Sequence, residues 1–269
     1  MPLSFLWKLI IFLFCILLLI LILLFKPSAK SQPKPSQPTV VNILGKEKVK
    51  YPQDVTMVMI GDSMTESLGN SDELKKFLSE YYKGKSFEVL NYGFGATNIL
   101  SVMDRITKET QHGRLFRPIE EIDYDLVLLE SFGQNPLSEY GLEQGLKRQT
   151  EELGKIVEKL KEANPQGKIV FVATISPNSK TFAKTQVELS EEVRAEWVKE
   201  RIAYIKNHIA FARKNDLPLI NIFESSLLEN EDGNPEYINT QDFIHPSPKG
   251  IIFISKQIAD FLYHNIMIE

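Results

Sequence analysis

Cysteine and histidine are scarce in this 269-residue chain, with one Cys and four His. A lone Cys15 excludes disulfides within the chain and any zinc site built on cysteines. Basic residues are also short where a nucleic-acid binder would need them. Residues 1–50 hold seven lysines against one glutamate, a charge of +6, which leaves 24 basic and 34 acidic groups, or −10, for residues 51–269. Phosphate binding is driven by clustered Lys and Arg, so an acidic body argues against nucleic acid as a partner. No internal repeat is visible. With 43% hydrophobic and 25% charged residues, the composition is that of a globular protein.

Charge is absent altogether from one stretch. LIIFLFCILLLILILLF, residues 9–25, runs between Lys8 and Lys26 without an ionisable side chain other than Cys15. At about 1.5 Å per residue it spans roughly 25 Å, and Leu3, Phe5, Leu6 and Trp7 extend it if Lys8 snorkels to the interface. A cleaved signal peptide would have a shorter apolar core and an A-x-A-like site, whereas Pro27 follows here. Residues 1–25 are therefore expected to be an uncleaved transmembrane anchor. Residues 26–50, with four prolines within twelve positions, read as a Pro/Ser/Lys-rich linker in polyproline II. The remaining residues, 51–269, suit one domain.

That body alternates two kinds of pattern. VTMVMI (55–60), FEVLNYG (87–93), DLVLLE (125–130), KIVFVAT (168–174) and LPLINI (217–222) are short apolar runs, as expected of parallel strands covered on both faces. Helices are expected over 141–164, over 188–214 with Val193, Trp197, Ile202, Ile205 and Ile209 inward, and over 248–264. The expectation is an α/β fold of three layers, α/β/α, with a five-stranded mostly parallel sheet. In such sheets ligands bind beyond the carboxyl ends of the strands.

Chemistry-bearing residues gather at those ends. Gly61-Asp62-Ser63-Met64 follows the first strand, with Asp62 placed to cap a helix and Ser63 at its start. Asn91-Tyr92-Gly93-Phe94-Gly95 closes the second strand, its glycines allowing close backbone approach. Gly133-Gln134-Asn135-Pro136 follows the third, where Asn135 offers side-chain donors. Asp242-Phe243-Ile244-His245 precedes the last helix, and a carboxylate three residues before a His can fix its tautomer. Each is weak alone, since a β–α turn with a capping Asp or an ordinary Gly turn explains it. His112, His208 and His264 read as structural or exposed. Arg114 and Arg117 read as solvated charges, and the loop 175–190 as either a pocket wall or a surface insertion.

Taken in order, the four patterns resemble the SGNH (GDSL-type) hydrolase/esterase family over essentially all of residues 51–269. The resemblance implies a flavodoxin-like α/β fold and a serine esterase acting through an acyl-enzyme. It implies Ser63 as nucleophile, His245 as base and Asp242 as its orienter. The oxyanion hole would combine the Ser63 and Gly95 amides with the Asn135 side chain, Gly95 fitting better than Gly93. No metal or organic cofactor is implied. Two departures stand out: Met64 replaces the usual Leu, and Pro136 replaces the usual Asp. Expected substrates are ester small molecules, O-acetylated surface glycans or lysophospholipids. An O-acyltransferase acting on envelope glycans, or a non-catalytic tethered carbohydrate-binding module, are the alternatives. The lysines after the anchor outnumber those before it, which by charge alone keeps the body inside; the chemistry implies an extracytoplasmic catalytic domain.

Overall fold

The structure is a computed structural model that describes residues 54–268. The expected anchor, the linker and residues 51–53 lie outside the described residues. Among the described residues no helix is long and apolar enough to cross a membrane.

In chain order the elements are β1 (Asp54–Gly61), the single-turn helix α1 (Ser63–Glu66), α2 (Asp72–Tyr81), β2 (Ser86–Gly93), α3 (Val102–Thr107), β3 (Thr110–His112) and β4 (Arg114–Phe116). Then come β5 (Leu126–Glu130), α4 (Leu142–Ala163), β6 (Lys168–Ala173), α5 (Glu191–Lys214), β7 (Leu219–Asn221), the short α6 (Ile222–Ser225) and α7 (Pro248–His264). Strands β2-β1-β5-β6-β7 form one five-stranded sheet, every pair parallel, while β3 and β4 form a separate antiparallel hairpin.

The apolar runs are buried on both faces, as continuous hydrophobic strands require. Val58, Ile60, Val127, Leu129, Ile169 and Phe171 point to one side and pack under α3, α4 and α5, meeting Ile106, Ile156, Leu160 and Tyr204. Met57, Met59, Leu126, Leu128, Val170 and Val172 point to the other, against Leu74 and Leu78 of α2 and Ile254, Ile258 and Leu262 of α7. Fully burying each such side chain contributes about 1.5–3 kcal/mol before entropy is set against it.

Two expectations need correcting. The final strand is shorter than 217–222 because Pro218 has no amide hydrogen; only its carbonyl joins the ladder, accepting from Phe171 N at 2.8 Å. In α5, Ile205 and Ile209 are buried, but Val193 and Trp197 are 44% and 38% exposed. The first turns of that helix meet the loop 175–190 instead of the sheet. Arg194 and Val198 turn inward there, Val198 packing with Phe182 and Ala183, and the Arg194 guanidinium donates to the Phe182 carbonyl.

Register then places the candidate residues. Gly61 pairs with Gly93, and Ile60 with Leu129, so β1, β2 and β5 end at one level. Such close packing leaves no space at Gly93: an added methyl would stand 2.2 Å from the Glu66 amide nitrogen and 2.7 Å from the Thr65 carbonyl carbon. At Gly154, inside α4, it would meet nothing within 4 Å. Gly93→Ala should therefore destabilise the protein by about 1–3 kcal/mol, and Gly154→Ala should stabilise it by about 0.5–1 kcal/mol. Thermal unfolding of both variants checks the contrast; equal and opposite-signed shifts to these would refute the register described.

Candidate active site

Helix α1 begins at Ser63 because Asp62 caps it: the Asp62 backbone is extended, and its Oδ1 accepts from Met64 N at 2.8 Å. Ser63 is therefore the first helical residue, half-buried, beside the positive end of a single turn. Its own amide makes no protein hydrogen bond among the described residues.

Gly95 stands next to it. A methyl added there would lie 3.6 Å from Ser63 Cβ. The Gly95 amide has no protein partner among the described residues, whereas the Gly93 amide is occupied by Asn91 Oδ1 at 2.8 Å. The loop after β5 supplies Asn135, whose Nδ2 donates to Asp62 Oδ2 at 2.9 Å. An amide nitrogen carries two hydrogens, so one is held by Asp62 and the other is free to bind a third group. Ser63, Gly95 and Asn135 are thus brought to one place.

Asp242 and His245 form the second group. Their segment folds into a tight loop closed by Asn239 N to His245 O at 2.8 Å and Phe243 N to Asn239 O at 2.8 Å. Asp242 Oδ1 accepts from the Ile244 and His245 amides at 2.8 and 3.0 Å, and Oδ2 meets His245 Nδ1 at 2.9 Å. Burial alone would raise the Asp242 carboxyl, but the bonds from the His245 ring and the two amides outweigh it and hold it below the ordinary value. With Nδ1–H facing a carboxylate, Nε2 is left as the accepting nitrogen. The loop 175–190 buttresses this segment, through Ala183 N to Phe243 O at 3.2 Å and Thr185 Oγ1 to Gln241 O at 2.6 Å.

Ser63 and His245 form no hydrogen bond to each other here. The two groups also interact through space, since a positive charge on His245 would favour the ionised form of Asp62. Nucleophile–base contacts in ligand-free enzymes are often long and tighten on binding.

Three left-handed residues shape these loops: Ala96 at φ 56°, Phe132 at φ 54° and Phe243 at φ 57°. None is glycine, and strain of about 1–3 kcal/mol at such a residue persists only where the surroundings enforce it.

Composition and pattern left two supporting residues without a role. Glu130, at the end of β5, is buried and ties the Ser63 loop to the Asn135 loop. Its Oε2 accepts from Asp62 N at 3.1 Å, and its Oε1 from Phe132 N at 3.0 Å and Ser131 Oγ at 2.8 Å. A charge ending an otherwise apolar strand was the available signal. Burial, then the negative Asp62, pushes the Glu130 carboxyl well above its ordinary value, and burial raises the Asp62 carboxyl as well. Arg105, from α3, lies 1% exposed beneath the loops. It donates to the carbonyls of Gly61 at 2.6 Å and Tyr92 at 2.8 Å and lies 4.4 Å from the centre of the Phe94 ring. Burial lowers it to about 10, which leaves it cationic at neutral pH.

The other histidines are now placed. His208 is fully buried against Phe171, at 4.6 Å between ring centres, and burial lowers it to about 3, so it is neutral. His264 ends α7. His112 lies on β3. Arg114 stacks on Phe116 at 4.4 Å. No group of three or more His, Cys, Asp or Glu able to hold a metal is found among the described residues.

A model of the GDSL-like lipase/acylhydrolase family matches residues 59–251. Among solved structures, the lipase/acylhydrolase from Enterococcus faecalis is similar over 78% of this chain and 96% of its own, with 17% identity and a TM-score of 0.56. An acetyl xylan esterase is similar over 77% of this chain and 98% of its own, with 16% identity and a TM-score of 0.54. A GDSL-like lipase from Bacteroides thetaiotaomicron aligns over 78% and 88%, with 15% identity and a TM-score of 0.51. No curated protein matches the chain.

The Glu130–Asp62 arrangement has a consequence for stability. A carboxyl raised in the folded state contributes stability that is full below its unfolded value and lost as pH rises through the folded one. Wild type should therefore lose melting temperature from its ordinary 4.5 upward toward alkaline pH more steeply than Glu130→Gln, which keeps the shape without the proton. Thermal unfolding of both at about pH 5 and pH 9 measures the slopes; parallel slopes would show that Glu130 ionises freely.

Proposed function

The chain belongs to the GDSL-like lipase/acylhydrolase family and is a hydrolase of that family, and from that premise we propose that it is a serine esterase in which Ser63, His245 and Asp242 act as nucleophile, base and orienter. The observation that carries this reading is the 2.9 Å contact of Asp242 Oδ2 with His245 Nδ1, which leaves Nε2 as proton acceptor. On substrate binding, His245 Nε2 takes the hydroxyl proton as Ser63 Oγ attacks the ester carbonyl. Asp242, held ionised, stabilises the imidazolium. The developing oxyanion is met by the Ser63 and Gly95 amides and the free N–H of Asn135, in line with the open donors at all three positions. The tetrahedral intermediate collapses, His245 gives its proton to the leaving alcohol, and water attacks the acyl-enzyme by the same route. A hydroxyl acceptor in place of water would make the reaction a transfer.

Asp62 has a separate part. It is fully buried, and although burial raises its carboxyl, the Met64 amide and the Asn135 side chain favour the charged form. It thereby points Asn135 at the site. Pro136, where the family usually has Asp, removes an amide hydrogen next to this bond but leaves the Asn135–Asp62 contact intact. The proposal extends to the rest of the chain: residues 1–25 anchor the enzyme in a membrane, and residues 26–50 hold the domain off it on the extracytoplasmic side.

Hydrolysis of p-nitrophenyl acetate by the purified chain tests the assignment. Ser63→Ala should lower kcat by at least about a thousandfold, and Asn135→Ala by about 100- to 1000-fold with little change in KM. Full activity in Ser63→Ala would discard the nucleophile.

A further inference from the structure

Within one turn of Ser63 stands a second carboxylate–imidazole pair that the proposed reaction does not use. Glu66 ends helix α1, and a methyl added at Gly95 would lie 2.4 Å from Glu66 Oε2 as well as 3.6 Å from Ser63 Cβ. The carboxylate therefore borders the space where an ester bound to Ser63 would sit. Across from it, on the β3–β4 hairpin, His112 Nε2 meets Glu66 Oε1 at 2.8 Å. The imidazole is stacked on Phe94, with ring centres 4.5 Å apart and planes 15° from parallel. Phe94 is itself pinned by Arg105 and Phe116, so the hairpin carries the ring on a rigid base. The side chains of Glu66 and His112 are 46% and 31% exposed, open to solvent rather than sealed in the core.

The polarity of the pair limits what it can hold. With Nε2–H donating to Glu66, His112 Nδ1 is a lone-pair acceptor. That nitrogen and Glu66 Oε2 make no further hydrogen bond among the described residues. Both accept, so the group that completes them must donate and must not be anionic. A carboxylate this close to the reacting centre repels a phosphodiester, the substituent a lysophospholipid would bring.

We propose that Glu66 and His112 form an alcohol-side subsite that accepts hydrogen bonds from the hydroxyls of a sugar, making acyl esters of neutral glycans the substrate of this site. The subsite rests on the serine-esterase reading above and supplies its specificity: hydroxyls flanking the ester oxygen bind the Glu66 carboxylate and His112 Nδ1, and the acyl carbonyl is turned toward Gly95. Glu66 and His112 are positioning residues and touch no reacting atom.

The test is a ratio of kcat/KM values for the purified full-length chain, a mono-O-acetylated methyl glycoside against p-nitrophenyl acetate, which has no hydroxyls to recognise. Glu66→Gln keeps size and hydrogen bonding to His112 while removing the charge, and His112→Asn keeps a polar group of smaller reach. Each should lower the ratio by about 10- to 100-fold, the effect of losing a hydrogen bond to a charged or oriented acceptor. The loss should fall mainly on KM for the glycoside. A merely structural pair would lower both substrates alike and leave the ratio unchanged, which would overturn the subsite. A wild type that prefers acetylcholine or a lysophospholipid to the sugar ester would overturn it as well. Cleavage of no ester by wild type would instead overturn the hydrolase reading, separating the two failures.

Discussion

A carboxylate sealed from water organises this site. Asp62 caps the helix that presents Ser63, receives Asn135 through its second oxygen, and hands its own amide to Glu130 on the next strand. Taking a charge out of water is costly unless it is hydrogen-bonded, so those donors cannot be removed independently. Burial raises both the Asp62 and the Glu130 carboxyls, and the donors around them offset part of that cost. Arg105 supports the same point from below by holding the Gly61 and Tyr92 carbonyls. The Ser63 loop and the Asn135 loop are therefore one electrostatic unit.

The sheet explains why that unit exists at all. Parallel strands of matched register end together, and β1, β2 and β5 deliver three loops to one level. His245 arrives from far along the chain, on a loop closed by its own turn bonds and braced by residues 182–185.

Much of this was legible in the residues. Apolar runs bounded by Gly and Pro marked the strands, because burial on both faces demands such runs. The spacing Asp242-x-x-His245 was readable because a carboxylate three residues before a His can reach its ring. What composition and periodicity could not carry was partnership across the fold. Nothing local tells that Glu130 would face Asp62, 68 residues away, or that His112 would reach Glu66 over 46 residues. The misassigned face of α5 has the same origin: Val193 and Trp197 fit the helical stripe, but the neighbour there is the loop 175–190, whose path the helix's own periodicity does not encode.

The central claim is convergence on one reacting carbon, and a crystal structure of the chain inactivated with a short alkyl fluorophosphonate addresses it most directly. The account requires phosphorus on Ser63 Oγ, with its non-bridging oxygen about 2.7–3.1 Å from the Ser63 and Gly95 amides and Asn135 Nδ2, and His245 Nε2 on the opposite, leaving-group side. An adduct whose oxygen faces solvent while His245 remains out of reach, or phosphorus on a residue other than Ser63, would contradict it.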